Sequence, residues 1–156
     1  MFDIRCFIYL IFAVVTGFAA LVVIPKKLYK KYLLYSILLG GTVDAVLAPI
    51  FSKVFHLIRY KNMGYFDILD VFSFWTPITW MFAFSIFFYL LPVQKFFLVP
   101  YLIIWTGLSY SVGIVLHDFG LFEYIGIGKF IMPVVFCLWY STAAWVYLKT
   151  EKISLK

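Results

Sequence analysis

Few residues of this chain have the means to do chemistry. Asp44 stands in the middle of an apolar run, Leu33 to Ser52. Asp70 follows Asp67 at the start of another run, and His117 precedes Asp118 at the end of a third. Carboxylates and imidazoles in such places serve as cation ligands, proton carriers, or general acids and bases. Ser73 and Trp80 fall at helical spacing from Asp70, and Ser109 and Tyr110 at helical spacing from His117.

Asp44 is the most demanding of them. A carboxylate at mid-membrane depth costs about 2.5 to 3.5 kcal/mol, whereas Leu, Ile, Val and Phe return about 0.3 to 0.6 kcal/mol each. Ten such residues in the run therefore supply roughly 3 to 6 kcal/mol, enough to offset one aspartate with little margin. Gly40, Gly41, Asp44 and Ala48 share one helical face. Small residues there admit a neighbouring helix and carry Asp44 into the bundle. Pro49 removes the hydrogen bond to the Ala45 carbonyl, leaving a spare acceptor beside the carboxylate. Two readings of Asp44 stand side by side: a contact for an ion, proton or ligand, or a hydrogen-bonded tie between helices.

Asp67 and Asp70 fall in the expected first turns of the next helix, where carboxylates complement the N-terminal dipole. Asp70, Ser73, Pro77 and Trp80 share a face, and a kink at Pro77 would make that half-helix a polar cavity wall. Thr106, Ser109, Tyr110, Gly113 and His117 form a polar stripe that should face protein or water rather than lipid. His117 and Asp118 are chain neighbours, which point apart on a helix. An interfacial histidine is a simpler reading than a general base.

The elements that must position these groups follow from composition. Of 156 residues, 65% are hydrophobic and only 13% charged. A soluble domain of this size could not hide that apolar surface. The expectation is a single membrane domain over residues 1–156, all-α, a bundle of five transmembrane helices at about 7–24, 33–52, 68–91, 96–116 and 129–148. Short connections should make consecutive helices antiparallel neighbours. The longest, 53–66, alternates apolar with basic residues and suits a short helix in the headgroup layer. The first run lacks a small-residue cleavage site and reads as an uncleaved span.

The net charge of +6 gathers at the ends of apolar runs, which marks topology and lipid contact rather than nucleic acid. With the N-terminus outside and the C-terminus inside, eight basic residues fall on the inner side and five on the outer. That topology turns Asp67, Asp70, His117, Asp118, Glu123 and His56 toward the outer face. Asp44 then lies about 12 Å below it, at about 1.5 Å per residue. Only Asp3 and Glu151 stand apart among the acids. Cys6 and Cys137 show no disulfide or metal spacing, and Cys137 reads as a small buried hydrophobe.

No metalloprotease helix, nucleophile elbow or phosphate loop is present, and GIGKF at 126–130 reads as a turn. The Lys-rich loop after the first span, the LLGGTVDAVLAPIF segment, the Tyr-Phe-Asp stretch and the Trp-Thr-Pro-Ile-Thr-Trp run together resemble a known group. It comprises uncharacterised small multi-pass membrane proteins of spore-forming Bacillus- and Clostridium-type bacteria, and the likeness covers most of residues 20–148. The resemblance implies a bacterial cytoplasmic membrane and carries no activity with it.

The leading expectation is a membrane protein that binds, and as a further step transports, a small ligand or cation through an outward-facing polar cavity. Its ligand-binding residues would be Asp44, Asp70, Ser73, Trp80, Ser109, Tyr110 and His117, with no cofactor and no metal. The lipid bilayer is the expected partner, alongside the ligand or cation and a second membrane protein or further copies of the chain. The alternatives are an accessory protein that docks a larger membrane partner, and an intramembrane enzyme acting on a lipid or isoprenoid.

Overall fold

The computed structural model describes residues 5–155; Asp3 and Lys156 fall outside them. The chain is mostly helical, with five helices among the described residues. These are α1 (Cys6–Val23), α2 (the unbroken helical run Lys26–Val54), α3 (Trp75–Tyr89), α4 (Lys95–Asp118) and α5 (Gly128–Thr150). Two short antiparallel pairs complete it: β1 (Ile58–Tyr60) with β4 (Phe122–Tyr124), and β2 (Asp67–Ile68) with β3 (Phe72–Ser73). Both pairs lie at one end of the bundle, with Arg5 and the start of α1. Lys31 and Glu151 meet at the other end.

Three helices, α2, α4 and α5, are long and apolar enough to cross a membrane. Their outer faces carry exposed Leu34, Leu38, Val46, Ile103, Ile104, Val134 and Leu138, while Ser36, Gly40, Gly41, Asp44 and Ser109 are buried. A surface this apolar suits a lipid surround, and these helices turn their few small and polar residues inward. Cys137 is exposed on this surface, not buried as expected.

The third expected span is different. Residues 68–74 are not helical, and α3 is 15 residues long, about 22 Å against a hydrocarbon core of about 30 Å. Leu69 and Asp70 both take left-handed conformations (φ 57° and 56°) in the turn between β2 and β3. Trp75 opens the helix, so Pro77 falls in its first turn, where backbone N–H groups have no helical partner anyway. It starts the helix rather than kinking it. Phe84, Phe87 and Phe88 of α3 are fully buried, which makes this short helix the axis of the bundle.

α1 and α2 both pack against α3, and α4 and α5 pack on each other as the consecutive helices they are. The Phe84 ring stacks on Tyr140 of α5 at 4.8 Å, and Phe88 on Tyr147 at 5.1 Å. Tyr101 of α4 donates to the Phe87 carbonyl at 2.7 Å. The small face of α2 lets α3 approach closely: a Cβ on Gly40 would lie 2.9 Å from Phe84 Cβ, and one on Gly41 3.0 Å from the Pro77 carbonyl oxygen.

Two wide π-helical turns, Ile37–Gly41 and Ile50–Val54, flank Asp44 within α2. The second follows Pro49, whose missing N–H removes a regular helical bond. The expected headgroup helix over 53–66 is not found. His56 in the left-handed region (φ 50°) ends α2, and the chain turns into β1. Gly120 (φ 71°) closes α4 in the same way, with the Leu121 N–H bonded back to Leu116. Tyr9 of α1 holds the β1–β4 layer, sharing its hydroxyl hydrogen between the carbonyls of Leu121 (2.5 Å) and Lys61 (3.0 Å).

Candidate functional site

Three spaces lie toward the hairpin end, and Tyr60 of β1 lines all of them. The first is a cavity of about 290 Å³ between α1, α3, α4 and α5, roofed by Tyr60, Phe122 and Tyr124. Thr76, Thr79, Trp80, Trp105, Ser109 and Tyr140 are among its walls. Most of the wall hydroxyls are spent elsewhere. Thr16 donates to Phe12 (2.8 Å), Thr79 to Trp75 (2.9 Å) and Tyr124 to Tyr110 (3.3 Å). Ser109 and Tyr140 bond each other at 2.8 Å. The walls left to a ligand are therefore apolar, which corrects the expectation of a polar cavity. α1 and α4 flank the cavity without packing extensively on each other. Leu108 of α4 lines it while remaining 54% exposed on the outer surface.

The second space is a chamber of about 30 Å³ against Asp44, close to the share of one water in the liquid. Asp44 is 5% exposed, and its Oδ2 has no hydrogen-bond partner. Such an orphan costs about 1 to 3 kcal/mol, more if charged. Around it stand Phe51, Tyr60, Trp80, Phe122, Phe136 and Trp139. Tyr60, Trp80, Phe122 and Phe136 line both the chamber and the cavity, so they are the partition between the two. Trp80 and Trp139 lie 5.0 Å apart, and Trp139 is held by donating to the Leu39 carbonyl in the first π turn, at 2.6 Å. Burial pushes the Tyr60 phenol well above its ordinary range, and the Asp44 carboxylate adds to that shift.

The third space is a groove of about 420 Å³ lined by Lys53, His56, Arg59, Lys61, Asp67 and Asp70, among others. Burial raises the Asp67 carboxyl, and its hydrogen bond to Asp70 raises it further. Lys61 is bonded to Glu123 at 2.6 Å, which holds the Glu123 carboxyl below its usual range.

The expected site residues are thus divided. Asp44 and Trp80 share the chamber; Trp80 and Ser109 share the cavity. Tyr110 stacks on the cavity residue Tyr124 at 5.1 Å. Asp70 lies in the groove, in a turn and not on a helix face. Ser73 is fully buried in β3, with an unpartnered Oγ, and lines none of the three spaces. His117 is exposed at the end of α4, its Nδ1 3.5 Å from Asp118. Asp44, Asp70 and His117 do not share one space. No group of three or more His, Cys, Asp or Glu among the described residues has a metal-binding arrangement.

Tyr60, Phe136, Trp139 and Tyr140 are absent from the sequence-based site. The alternation in Ile58-Arg59-Tyr60 and Phe122-Glu123-Tyr124 is the signal that marks the strands and, with them, Tyr60. Known protein families, characterised proteins and solved structures offer no match to this chain.

Proposed function

We propose that this protein is a five-span membrane protein that binds a small, mostly apolar ligand carrying an ammonium group. The N-terminus lies outside and the C-terminus inside a bacterial cytoplasmic membrane. The ammonium sits against Asp44, and the apolar body occupies the 290 Å³ cavity. The observation that carries this reading is the orphaned Asp44 Oδ2, buried in a chamber walled by aromatic rings. A desolvated cation over such rings gains up to about 2 kcal/mol. The chamber's size suits one ammonium group, and the cavity holds roughly ten groups of water size. Tyr60, Trp80, Phe122 and Phe136 must part to join the two spaces. The basic lysine end, with Lys26, Lys27, Lys30 and Lys31, supports the orientation.

The test uses purified protein in lipid nanodiscs and two probes of equal shape, 4-phenylbutylamine and 4-phenylbutanol. Tryptophan fluorescence reports on Trp80 at the partition. The amine should bind saturably and at least tenfold more tightly than the alcohol. Asp44→Asn should abolish that preference while leaving the unfolding transition in place. Equal binding of the two probes, or an Asp44→Asn variant that still prefers the amine, overturns the proposal.

A further inference from the structure

The groove at the hairpin end takes no part in the ammonium reading. We infer that it binds a zwitterionic phospholipid headgroup of the phosphoethanolamine type. Its walls are divided by charge. Lys53, His56, Arg59 and Lys61 come from the end of α2 and from β1 with the residue after it; Asp67 and Asp70 come from β2 and its turn. Lys61 is engaged by Glu123, whereas neither Lys53 nor Arg59 has an ion-pair partner within 4.0 Å among the described residues. Two such cations in one groove with the Asp67 and Asp70 carboxyl groups match a phosphate joined to an ammonium by a short linker.

The surroundings fix the source of that headgroup. Phe55, Tyr65 and Leu69, from the segments that build the groove, are 59%, 83% and 86% exposed. Aromatic and aliphatic side chains exposed beside lysines belong at a membrane interface, with the rings at headgroup level. The backbone is also shaped for the groove: His56, Asn62 and Asp70 line it, and all three take left-handed conformations. His56 is held by donation from its Nδ1 to the Ser52 carbonyl (3.1 Å), and Asn62 by donation to the Gly120 carbonyl (3.0 Å).

The inference rests on membrane placement but not on the Asp44 ligand. Its test is lipid retention, read by native mass spectrometry of protein taken from bilayers of equal phosphatidylethanolamine and phosphatidylglycerol. Phosphatidylethanolamine should remain bound at several times the level of phosphatidylglycerol. The double change Lys53→Ala with Arg59→Ala should remove it. Asp67→Asn with Asp70→Asn should turn the preference toward phosphatidylglycerol, and because that variant must still bind lipid, it also shows that the protein is folded. Asp44→Asn should leave retention unchanged, which separates this inference from the ammonium site. Preference for phosphatidylglycerol in the unaltered protein overturns it. So does full displacement by millimolar free phosphoethanolamine, which would assign the groove to a soluble phosphate ester.

Discussion

The Ser109–Tyr140 pair offers a direct measure of how dry the cavity wall is. The two hydroxyls are 2.8 Å apart, Ser109 is 6% exposed, and Tyr140 is fully buried between Phe84 and Phe87 at 4.8 and 4.9 Å. Ser109→Ala leaves the Tyr140 hydroxyl without a partner among rings, at a cost of about 1 to 3 kcal/mol. Tyr140→Phe is milder, about 0.5 to 1.5 kcal/mol, because the serine hydroxyl can turn to a carbonyl one helical turn back. The double change removes both polar atoms, so its cost should fall short of the sum of the single changes. Hydrogen bonds between transmembrane helices average about 0.6 kcal/mol in such cycles and reach about 1.7. A pair this buried belongs in the upper part of that range, at about 1 kcal/mol or more. Reversible unfolding in mixed micelles, titrated with dodecyl sulfate and followed by circular dichroism, measures all four corners of the cycle. Additivity within about 0.3 kcal/mol would show that water reaches both hydroxyls, and the dry-walled cavity would be wrong.

Two further changes test the cavity and the opposite end. Thr76 lines the cavity with a buried Oγ1 that has no partner, so Thr76→Val should be neutral or stabilising in the same unfolding assay. A loss above about 1 kcal/mol would mean that a polar molecule bonds this hydroxyl in the native protein. At the lysine end, the Lys31 ammonium bonded to Glu151 holds the Glu151 carboxyl below its usual range, aided by the Tyr35 hydroxyl at 2.8 Å. A depressed carboxyl stabilises the fold above its unfolded pKa, and that contribution disappears as pH falls through the lower folded value. Unfolding followed from pH 6 to pH 3 should show an acid loss that is missing in Glu151→Gln. The pair is partly exposed, so the effect should stay below about 1 kcal/mol; an identical pH profile in both proteins would count against the bridge.

Four of the five helices are legible in the sequence as long apolar runs, and three of them are long and apolar enough to cross a membrane. The inward face of α2 is legible too: Gly40 and Gly41 mark where α3 comes close, while Ala48 buries against Val71 and Phe72 of the β2–β3 hairpin rather than a helix. The third helix is misread for a specific reason. Pro77 in an apolar run signals a kink, yet it is equally at home in a first turn, and only the placement of Trp75 decides between the two. The turn at Leu69–Asp70 lacks the glycine that usually announces left-handed backbone. β1 and β4 are three residues each and pair across more than sixty positions of chain, with Ile58 opposite Tyr124. Nothing local to either segment names its partner. The alternation marks Tyr60 as a strand residue, but the pairing that sets it against all three spaces is out of reach of the sequence.

The shortness of α3 ties these features together. A central helix of about 22 Å is about 8 Å shorter than a 30 Å hydrocarbon core. Were the bundle set in a bilayer, the non-helical backbone before α3 would have to be covered by protein. Here α1, α4 and α5 surround the gap, and the β1–β4 layer closes it with Tyr60 and Phe122 pointing inward. The cavity begins beside the first turns of α3, at Thr76, Thr79 and Trp80. A carboxylate that served only to tie helices together would be best placed with a donor on each oxygen. Asp44 instead has an orphaned oxygen, a chamber in front of it and a partition of aromatic rings between that chamber and the larger cavity. That combination favours a binding site over a structural tie.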